Sequence, residues 1–481
     1  MPSWTPRRRL VRTVAGLAAV LLTAAGCTAQ GPPPARLTCH GAEAARSVAL
    51  VPRPLPAAAP ALGERPGKPS TAAGGPSAVT PSADGGTLDV FRVTAEGVLL
   101  ASRMGAAGAA DRWRLPLGPP YRPRDAWVAV AAPRGAGGPV VVAAHRQTGD
   151  RHSRWTLVSP GGKPLVDCVW RPYDPEERVE FTPGGDIVVA TRTTRRPRLN
   201  GSSDVADRFV EIHSTRGGTL LGRFRSTGFV QDGTRVFGRS GSRVVAHAVS
   251  DGRLLWSVDV GEGLAGLRGE DPAPLHLAGD RLLVQTRATR TAVVLDRGTG
   301  EEVWRAVLPG EAEAVHETGP DRFILQYRGG LAFAGPRGVE RAVSVPPPGN
   351  SGRQRVEHLA VVEGAATVAV IDAHKVSAPE LVVVAERGRL ARRPLRIAIP
   401  AAHAQAVLTR SAVYLLPWAP DGRQATLHAY DLKDGAPLWR VPVPDRLTIT
   451  DGPGPGSSLH PYRGGLYGTH YASGWTLPAA S

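Results

Sequence analysis

The chain has 481 residues, room for two or three ordinary domains or one large repeat-built domain. Hydrophobic residues make up 42%, enough for a sizeable core, while 57 Gly and 45 Pro argue against a mainly helical protein and fit one with many turns. The formal charge is +16, yet all basic residues except Lys68, Lys163, Lys375 and Lys433 are Arg. An Arg, Ala, Gly and Pro excess is what a high-GC bacterial genome produces, which weakens the charge as a sign of function.

The N-terminus reads as a leader. In "MPSWTPRRRLVRTVAGLAAVLLTAAGC" a basic segment precedes the apolar run Val14 to Ala25, too short for a membrane span and right for a signal peptide over 1–26. Loss of Arg7, Arg8, Arg9 and Arg12 with it leaves about +12 on the mature chain. "LLTAAGC" resembles a bacterial lipobox, with Ala24 where many carry Leu and Cys27 as the acceptor thiol. The alternative is an ordinary secretory signal cleaved nearby. Arg7 to Val11 reads as a plain basic segment or as a loose twin-arginine signal. Lipidation at Cys27, palmitate included, would supply at least two acyl chains, and two chains anchor stably where one is marginal. The expected location is the outer face of the bacterial cytoplasmic membrane, with membrane lipid as the first partner.

Cys39 and Cys168 are the two thiols that remain after the anchor, and in an oxidising compartment they are expected to pair. The alternative is two buried free thiols. Residues 27–86 read as a lipid-anchored tether, because 51 to 86 is dominated by Pro, Ala and Gly and buries little apolar surface. Within it, the stretch from about 37 to 50 becomes ordered if Cys39 is pinned to Cys168.

From 87 to 481 the chain is expected to form one repeat-built domain. "SRVVAHAVSDGRLLW", "TAVVLDRGTGEEVW" and "ATLHAYDLKDGAPLW" each end in a tryptophan four residues after a glycine: Gly252 and Trp256, Gly300 and Trp304, Gly435 and Trp439. Asp296 and Asp431 precede their glycines by four. Weaker copies fall at Gly97, Gly162, Gly218, Gly338 and Gly388. A period of about 45 to 48 residues with four short strands per unit is the signature of propeller blades. The glycine supplies the positive φ of a tight connection, the aspartate caps its amides, and the tryptophan wedges against the neighbouring blade. Eight such hairpins predict an all-β, eight-bladed β-propeller of four-stranded antiparallel blades, with seven blades as the alternative. The hairpin "TLDVFRVTAEGVLLAS" and the C-terminal strands are expected to share one closing blade.

"AYDLKDGAPLW" and "VLDRGTGEEVW" resemble the repeat A-x-D-x-x-T-G-x-x-x-W of the pyrroloquinoline-quinone-type β-propellers. That superfamily includes quinoprotein alcohol dehydrogenases and the propeller lipoprotein of the outer-membrane β-barrel assembly machinery. The resemblance implies the fold. It does not carry over the quinone chemistry, because the adjacent cysteine pair of the dehydrogenases is missing and the chain has only Asn200 and Asn350 to offer as amide ligands. No cofactor and no metal are therefore expected, and an enzyme is the less favoured reading.

Other motifs give little chemistry. Gly261 to Gly266 matches G-x-G-x-x-G but is followed by "LRGEDPAP", which is no helix and so cannot cradle a phosphate. The thirteen His, His403 and His428 among them, show no metal spacing. The acid pairs Glu176-Glu177 and Glu301-Glu302 read as solvated turns. The basic runs "RTTRRPR" (192 to 198) and "RGRLARRPLR" (387 to 396) read as solvated loops, or as contacts for acidic lipid headgroups, anionic wall polymers or an acidic partner. Nucleic acid is not the expected partner, given the expected compartment and the lack of aromatics among the arginines. The reading of the whole is a non-enzymatic, envelope-anchored propeller that serves as a protein-interaction scaffold or sensor. Alternatives are a small-ligand or glycan binder, or an enzyme with carboxylates assembled in the central channel.

Overall fold

Alternating apolar residues over five to eight positions, cut by Gly, Pro, Asp and Ser, give strands and nothing else: among the described residues of this computed structural model there is no helix. The structure describes 36–41, 48–49, 70–72, 77–81 and, between 87 and 478, the strands with most of their short turns. Residues 1–35 and the longer connections, such as 119–125, 132–140, 197–204, 262–274, 345–354, 386–394 and 443–456, lie outside the described residues. The leader, Cys27 and Gly388 are therefore outside them too.

Three strands come before the repeat: β1 (Arg36–Gly41), β2 (Val48–Ala49) and β3 (Ser70–Ala72). Nine antiparallel sheets follow in chain order. Sheet 1 holds β4 (Ser77–Pro81), β5 (Leu88–Val93), β6 (Val98–Gly105) and β7 (Gly108–Pro116). Sheet 2 holds β8 (Ala126–Ala131), β9 (Val141–Gln147), β10 (Ser153–Val158) and β11 (Pro164–Arg171). Sheet 3 is β12 (Val179–Phe181), β13 (Ile187–Arg196), β14 (Val205–Ser214) and β15 (Leu220–Arg225). Sheet 4 is β16 (Phe229–Gln231), β17 (Arg235–Ser240), β18 (Arg243–Ala248) and β19 (Leu254–Asp259). Sheet 5 is β20 (Leu275–Ala278), β21 (Arg281–Thr286), β22 (Thr291–Asp296) and β23 (Glu302–Val307). Sheet 6 is β24 (Ala312–Gly319), β25 (Arg322–Tyr327), β26 (Gly330–Gly335) and β27 (Gly338–Ser344). Sheet 7 is β28 (Arg355–Val362), β29 (Ala366–Asp372), β30 (Glu380–Ala385) and β31 (Leu395–Ala398). Sheet 8 is β32 (Ala404–Leu408), β33 (Ala412–Pro417), β34 (Thr426–Asp431) and β35 (Pro437–Pro442). Sheet 9 joins β36 (Ser457–Tyr462), β37 (Gly465–His470) and β38 (Ser473–Pro478) to β3.

Each sheet packs on the next. Phe91, Leu99 and Trp113 of sheet 1 meet Val128, Val142 and Val158 of sheet 2. Val244 and Val230 of sheet 4 meet Leu282, Val284 and Val293 of sheet 5. Tyr414 and Leu427 of sheet 8 meet Leu459 and Leu466 of sheet 9. Tyr467 of sheet 9 then packs on Leu88, Val90 and Met104 of sheet 1 and closes the ring. The result is a β-propeller whose core is a series of apolar seams rather than one central cluster.

The blade count corrects the expectation of eight. Seven sheets are four-stranded antiparallel blades and two more carry a fifth strand. The seven-blade alternative matches only the four-stranded ones. The physical reason lies at the closure. The hairpin at Gly97 joins β5 to β6 in a sheet of its own, instead of sharing one with the C-terminal strands. Sheet 9 takes its fourth strand, β3, from the far end of the chain, with Thr71 opposite Trp475, so it has no third-to-fourth hairpin to count.

The segment expected to be a tether also differs from that reading. β1 pairs with β11 as a fifth strand of sheet 2, β2 with β7 as a fifth strand of sheet 1, and β3 with β38 as the fourth of sheet 9. β4 is the first strand of sheet 1. The N-terminal segment is thus a strap over the outer edges of three consecutive sheets, astride the point where the ring closes. β1 buries Leu37 and Cys39 and leaves Thr38 exposed, the alternation of a half-buried strand.

Cys39 lies opposite Cys168 in the β1–β11 register and is joined to it by a disulfide. The bond closes a loop across a sequence separation of 129 residues, for which the chain-entropy model gives roughly 5 kcal/mol. The double variant Cys39→Ser/Cys168→Ser is expected to lose about 2–5 kcal/mol in chemical denaturation. Hydrogen exchange of the β1 amides should rise well above that of β10. Unchanged β1 protection would mean that pairing alone holds the strap.

Candidate interaction surface

The third-to-fourth-strand hairpin builds the ring's outer side. In sheet 5 the Asp296 amide donates to Glu301 O (2.8 Å) and the Gly300 amide donates to Asp296 O (2.8 Å). The same pair of bonds recurs at Gly252 and at Gly435. These glycines have φ of 70°, 79° and 78° at 252, 300 and 435, the left-handed region that L side chains avoid. Asp296 accepts from the amides of Gly298 (2.8 Å) and Thr299 (3.0 Å) and pairs with Arg281 at 2.9 Å. Burial opposes its ionisation, but the Thr299 and Gly298 amides, the Thr299 hydroxyl and Arg281 outweigh it and hold the carboxyl below its usual value. Asp431 ends β34 and its backbone closes the equivalent turn.

Beyond the turn, a bulge shifts the register and turns the next residue inward. Trp256, Trp304 and Trp439 lie opposite Ala246, Val294 and Ala429, just past it. Each packs in the seam to the following sheet. A Cβ on Gly300 would meet the ring of Trp256 at 2.7 Å, so the bare glycine is what lets that indole lie flat on the next turn. Trp256 Nε1 also donates to Arg297 O (3.2 Å). Trp113 makes the same contact with Gly162, where an added Cβ would meet its ring at 2.8 Å. It escapes the Gly-x-x-x-Trp pattern because it stands five residues after Gly108. In sheet 3 the tryptophan position is Gly222, opposite Ile212, and Gly252 of sheet 4 closes directly on its backbone.

Buried charge sits in two seams that sequence spacing does not reveal. Glu211 is fully buried on the face of sheet 3 toward sheet 2, with Arg223 Nε at 3.4 Å, His213 Nε2 at 3.3 Å and Arg192 Nη1 at 3.8 Å. The Arg223 guanidinium lies over Phe209 at 4.1 Å, and burial lowers its pKa against the pull of Glu211. Arg239 is buried with no carboxylate in salt-bridge range among the described residues. It donates to Gly241 O (3.1 Å) and, across the seam, to Gln285 O (2.7 Å), and burial pushes its pKa down to about 10. Arg239 thus links sheets 4 and 5, whereas Arg192, His213 and Arg223 hold Glu211 from within sheet 3. No cluster of three or more His, Cys, Asp or Glu able to hold a metal occurs among the described residues. His428 is on β34 with its pKa lowered by burial and by Arg440, while Glu262 to Gly266 and His403 lie outside the described residues.

What remains open to a partner is the outer edge. All the exposed large apolar side chains among the described residues are on fourth strands: Leu165, Leu254, Leu255, Val303, Val307 and Leu438. Leu255, Val303 and Leu438 each precede the seam tryptophan, since the residue next to an inward side chain must point outward. Sheets 4 and 5 place Leu254, Leu255, Val303 and Val307 on neighbouring outer strands, Val307 being 75% exposed. The two sheets are stapled together by Arg305 to Val260 O (2.9 Å), Arg235 to Arg297 O (3.3 Å) and Arg297 to Asp232 (3.4 Å). The platform is therefore rigid, and rigid surfaces lose less entropy on binding.

Gly300→Ala should cost at least about 2 kcal/mol, from left-handed strain of roughly 1–2 kcal/mol plus displacement of Trp256. Gly241→Ala, at φ 62° with nothing within 4 Å, should cost the strain alone. Equal losses in urea unfolding would remove the indole contact from the account. Trp304→Ala should cost on the order of 3–5 kcal/mol, the range for emptying a large aromatic from a core. A smaller loss by the same measurement would mean that Trp304, 8% exposed, is not a seam anchor.

Comparison with known proteins places the repeat. No curated protein matches the chain. Among solved structures it is similar to BamB from Moraxella catarrhalis, at 13% identity and a TM-score of 0.39, over 73% of this chain and 98% of that one. It is also similar to AztD from Citrobacter koseri, at 14% identity and 0.37, over 66% and 86%. The computationally designed Ika8 protein matches at 11% identity and 0.39, over 85% and 97%. Residues 240–343, from the outer half of sheet 4 through sheets 5 and 6, match the family described as outer membrane protein assembly factor BamB.

Proposed function

We propose that this chain is a non-enzymatic scaffold or sensor of the bacterial envelope, held by acyl chains on Cys27 at the outer face of the cytoplasmic membrane. Its partner is a protein that docks on the outer strands of sheets 4 and 5. One observation carries the reading: the exposed apolar residues gather on outer strands, and two neighbouring sheets present four of them on a stapled platform. Scattered exposed apolar residues are ordinary on any surface, whereas adjacent ones on a rigid edge are what an interface core needs. The match of residues 240–343 to a family described as an assembly factor supports a protein partner.

A photo-crosslinking residue placed at Val307 in the membrane-bound protein should give one discrete adduct, and at Asp434, on an exposed turn of sheet 8, none. Adding Leu255→Arg should reduce the Val307 adduct at least tenfold, as loss of a central apolar contact of about 1.4 kcal/mol would. Equal crosslinking at the two sites, or no effect of Leu255→Arg, would rule out this docking surface.

A further inference from the structure

Two sheets of this ring carry a strand added outside the fourth: β2 pairs with β7 and β1 with β11. β1 is the fuller case. It runs antiparallel to β11 from Arg36 to Gly41, buries Leu37 and Cys39 on one face and leaves Thr38 exposed on the other. Thr38 lies opposite Val169. The outer edge of a fourth strand is thus a place where this fold accepts an extended segment.

β23 presents the same edge without the added strand: among the described residues it ends sheet 5 with no strand paired outside it. The Leu308 amide donates to Arg290 O, so by antiparallel alternation the backbone N–H and C=O of Arg305 and Val307 point away from β22. The side chains of Val303, Arg305 and Val307 are exposed on one face. Such an edge is a template for pairing, and proteins guard it with charge or proline. Sheets 3, 4 and 8 do so three residues past the seam tryptophan or its counterpart, with the exposed Arg225, Asp259 and Pro442. In sheet 1 that position is Pro116, and the added strand β2 pairs before it, with Trp113 and Arg114. Sheet 2 has Val169 there, three past Val166, and β1 covers it. Sheet 5 has Val307, 75% exposed. It carries the residue of the covered sheet and lacks the cover.

We infer that β23 takes up one extended segment of a protein partner as a fifth, antiparallel strand of sheet 5. The inference deepens the proposed function and rests on its reading of this edge as the docking surface. β1 on β11 gives the geometry. Backbone bonds to Arg305 and Val307 hold the segment whatever its sequence, and the side chains opposite Val303 and Val307 select it. Those two valines share a face four positions apart, so the fitting segment carries two apolar, β-branched residues at the same spacing. The residue between them, opposite Arg305, is uncharged or acidic, because like charges directly opposite destabilise a pair. Arg305 also donates to Val260 O, which fixes this edge before a partner arrives.

The test uses the membrane-bound full chain with the photo-crosslinking residue at Leu255, on the neighbouring outer strand, so that β23 itself can be varied. Val307→Pro removes one outward N–H and no bond to β22, and Pro442 at the equivalent place in sheet 8 shows that the strand accommodates it. It should reduce the adduct at least about tenfold, because a backbone bond is lost and its acceptor in the partner is left unpaired. Val307→Thr keeps the N–H and the β-branched shape, and should stay within about threefold of the parent. A second measurement depends on neither variant: the Arg305 and Val307 amides should exchange hydrogen at least about tenfold more slowly in the adduct than in the free protein. Undiminished crosslinking of Val307→Pro, equal losses for the two variants, or unchanged exchange overturns strand addition and leaves a docking surface that uses side chains alone. No adduct at Leu255 in the parent chain removes the docking surface itself, and the inference with it. An adduct of two copies of this chain assigns the edge to self-association and overturns the choice of partner.

Discussion

A flat indole against a bare glycine turn is the contact on which the ring depends. Sheets in a propeller touch face to face along seams, and each seam must be tight at the outer side, where neighbouring sheets diverge most. A left-handed glycine such as Gly300 removes the Cβ that would hold the next sheet away, and Trp256 fills the space so opened. The bulge beside it turns that one side chain inward while its neighbours face solvent. The inward tryptophan and the outward Leu255 are therefore two results of one local geometry: what makes the seam also makes the apolar rim.

Polar groups then fix what the indoles bring together. Trp256, Arg235 and Arg305 all donate to backbone carbonyls across the sheet 4–5 seam. Arg239 does the same deeper in, where a carboxylate would be the usual partner. A backbone carbonyl is fixed by its strand, so these bonds set the angle between sheets more firmly than two mobile side chains would. The Glu211 cluster is held within sheet 3, and its border touches sheet 2 where Trp170 meets His213 edge-on at 5.2 Å.

The hairpins were legible in the sequence because their chemistry is local: Asp296, Gly300 and Trp304 act within nine positions of each other. Trp113 was not, since it stands five residues after Gly108 and so falls one place off the pattern. The strap was hidden for a different reason. Its strands β2 and β3 have two and three residues, and their partners lie far along the chain. Pro/Ala/Gly composition reports what a segment can bury alone, not what a finished sheet edge offers it. The sheet count failed at the same place, because a closing blade made from both ends has no hairpin to announce it. Glu211 and Arg239 look like ordinary surface charges until the tertiary structure buries them. The outer apolar rim was half visible, in the residue before each tryptophan.

The strap also sets a timetable. β3 sits near the start of the chain but pairs with β38, roughly 400 residues later, so the last blade has no complete sheet until the final strand has been made. The inner sheets form from neighbours in sequence and can assemble in order as they emerge, but the ends must wait. During that interval the edges of sheets 1, 2 and 9 are bare and the N-terminal strands are free. Closure is then a search of one chain end for the other, and only its success covers the last bare edges.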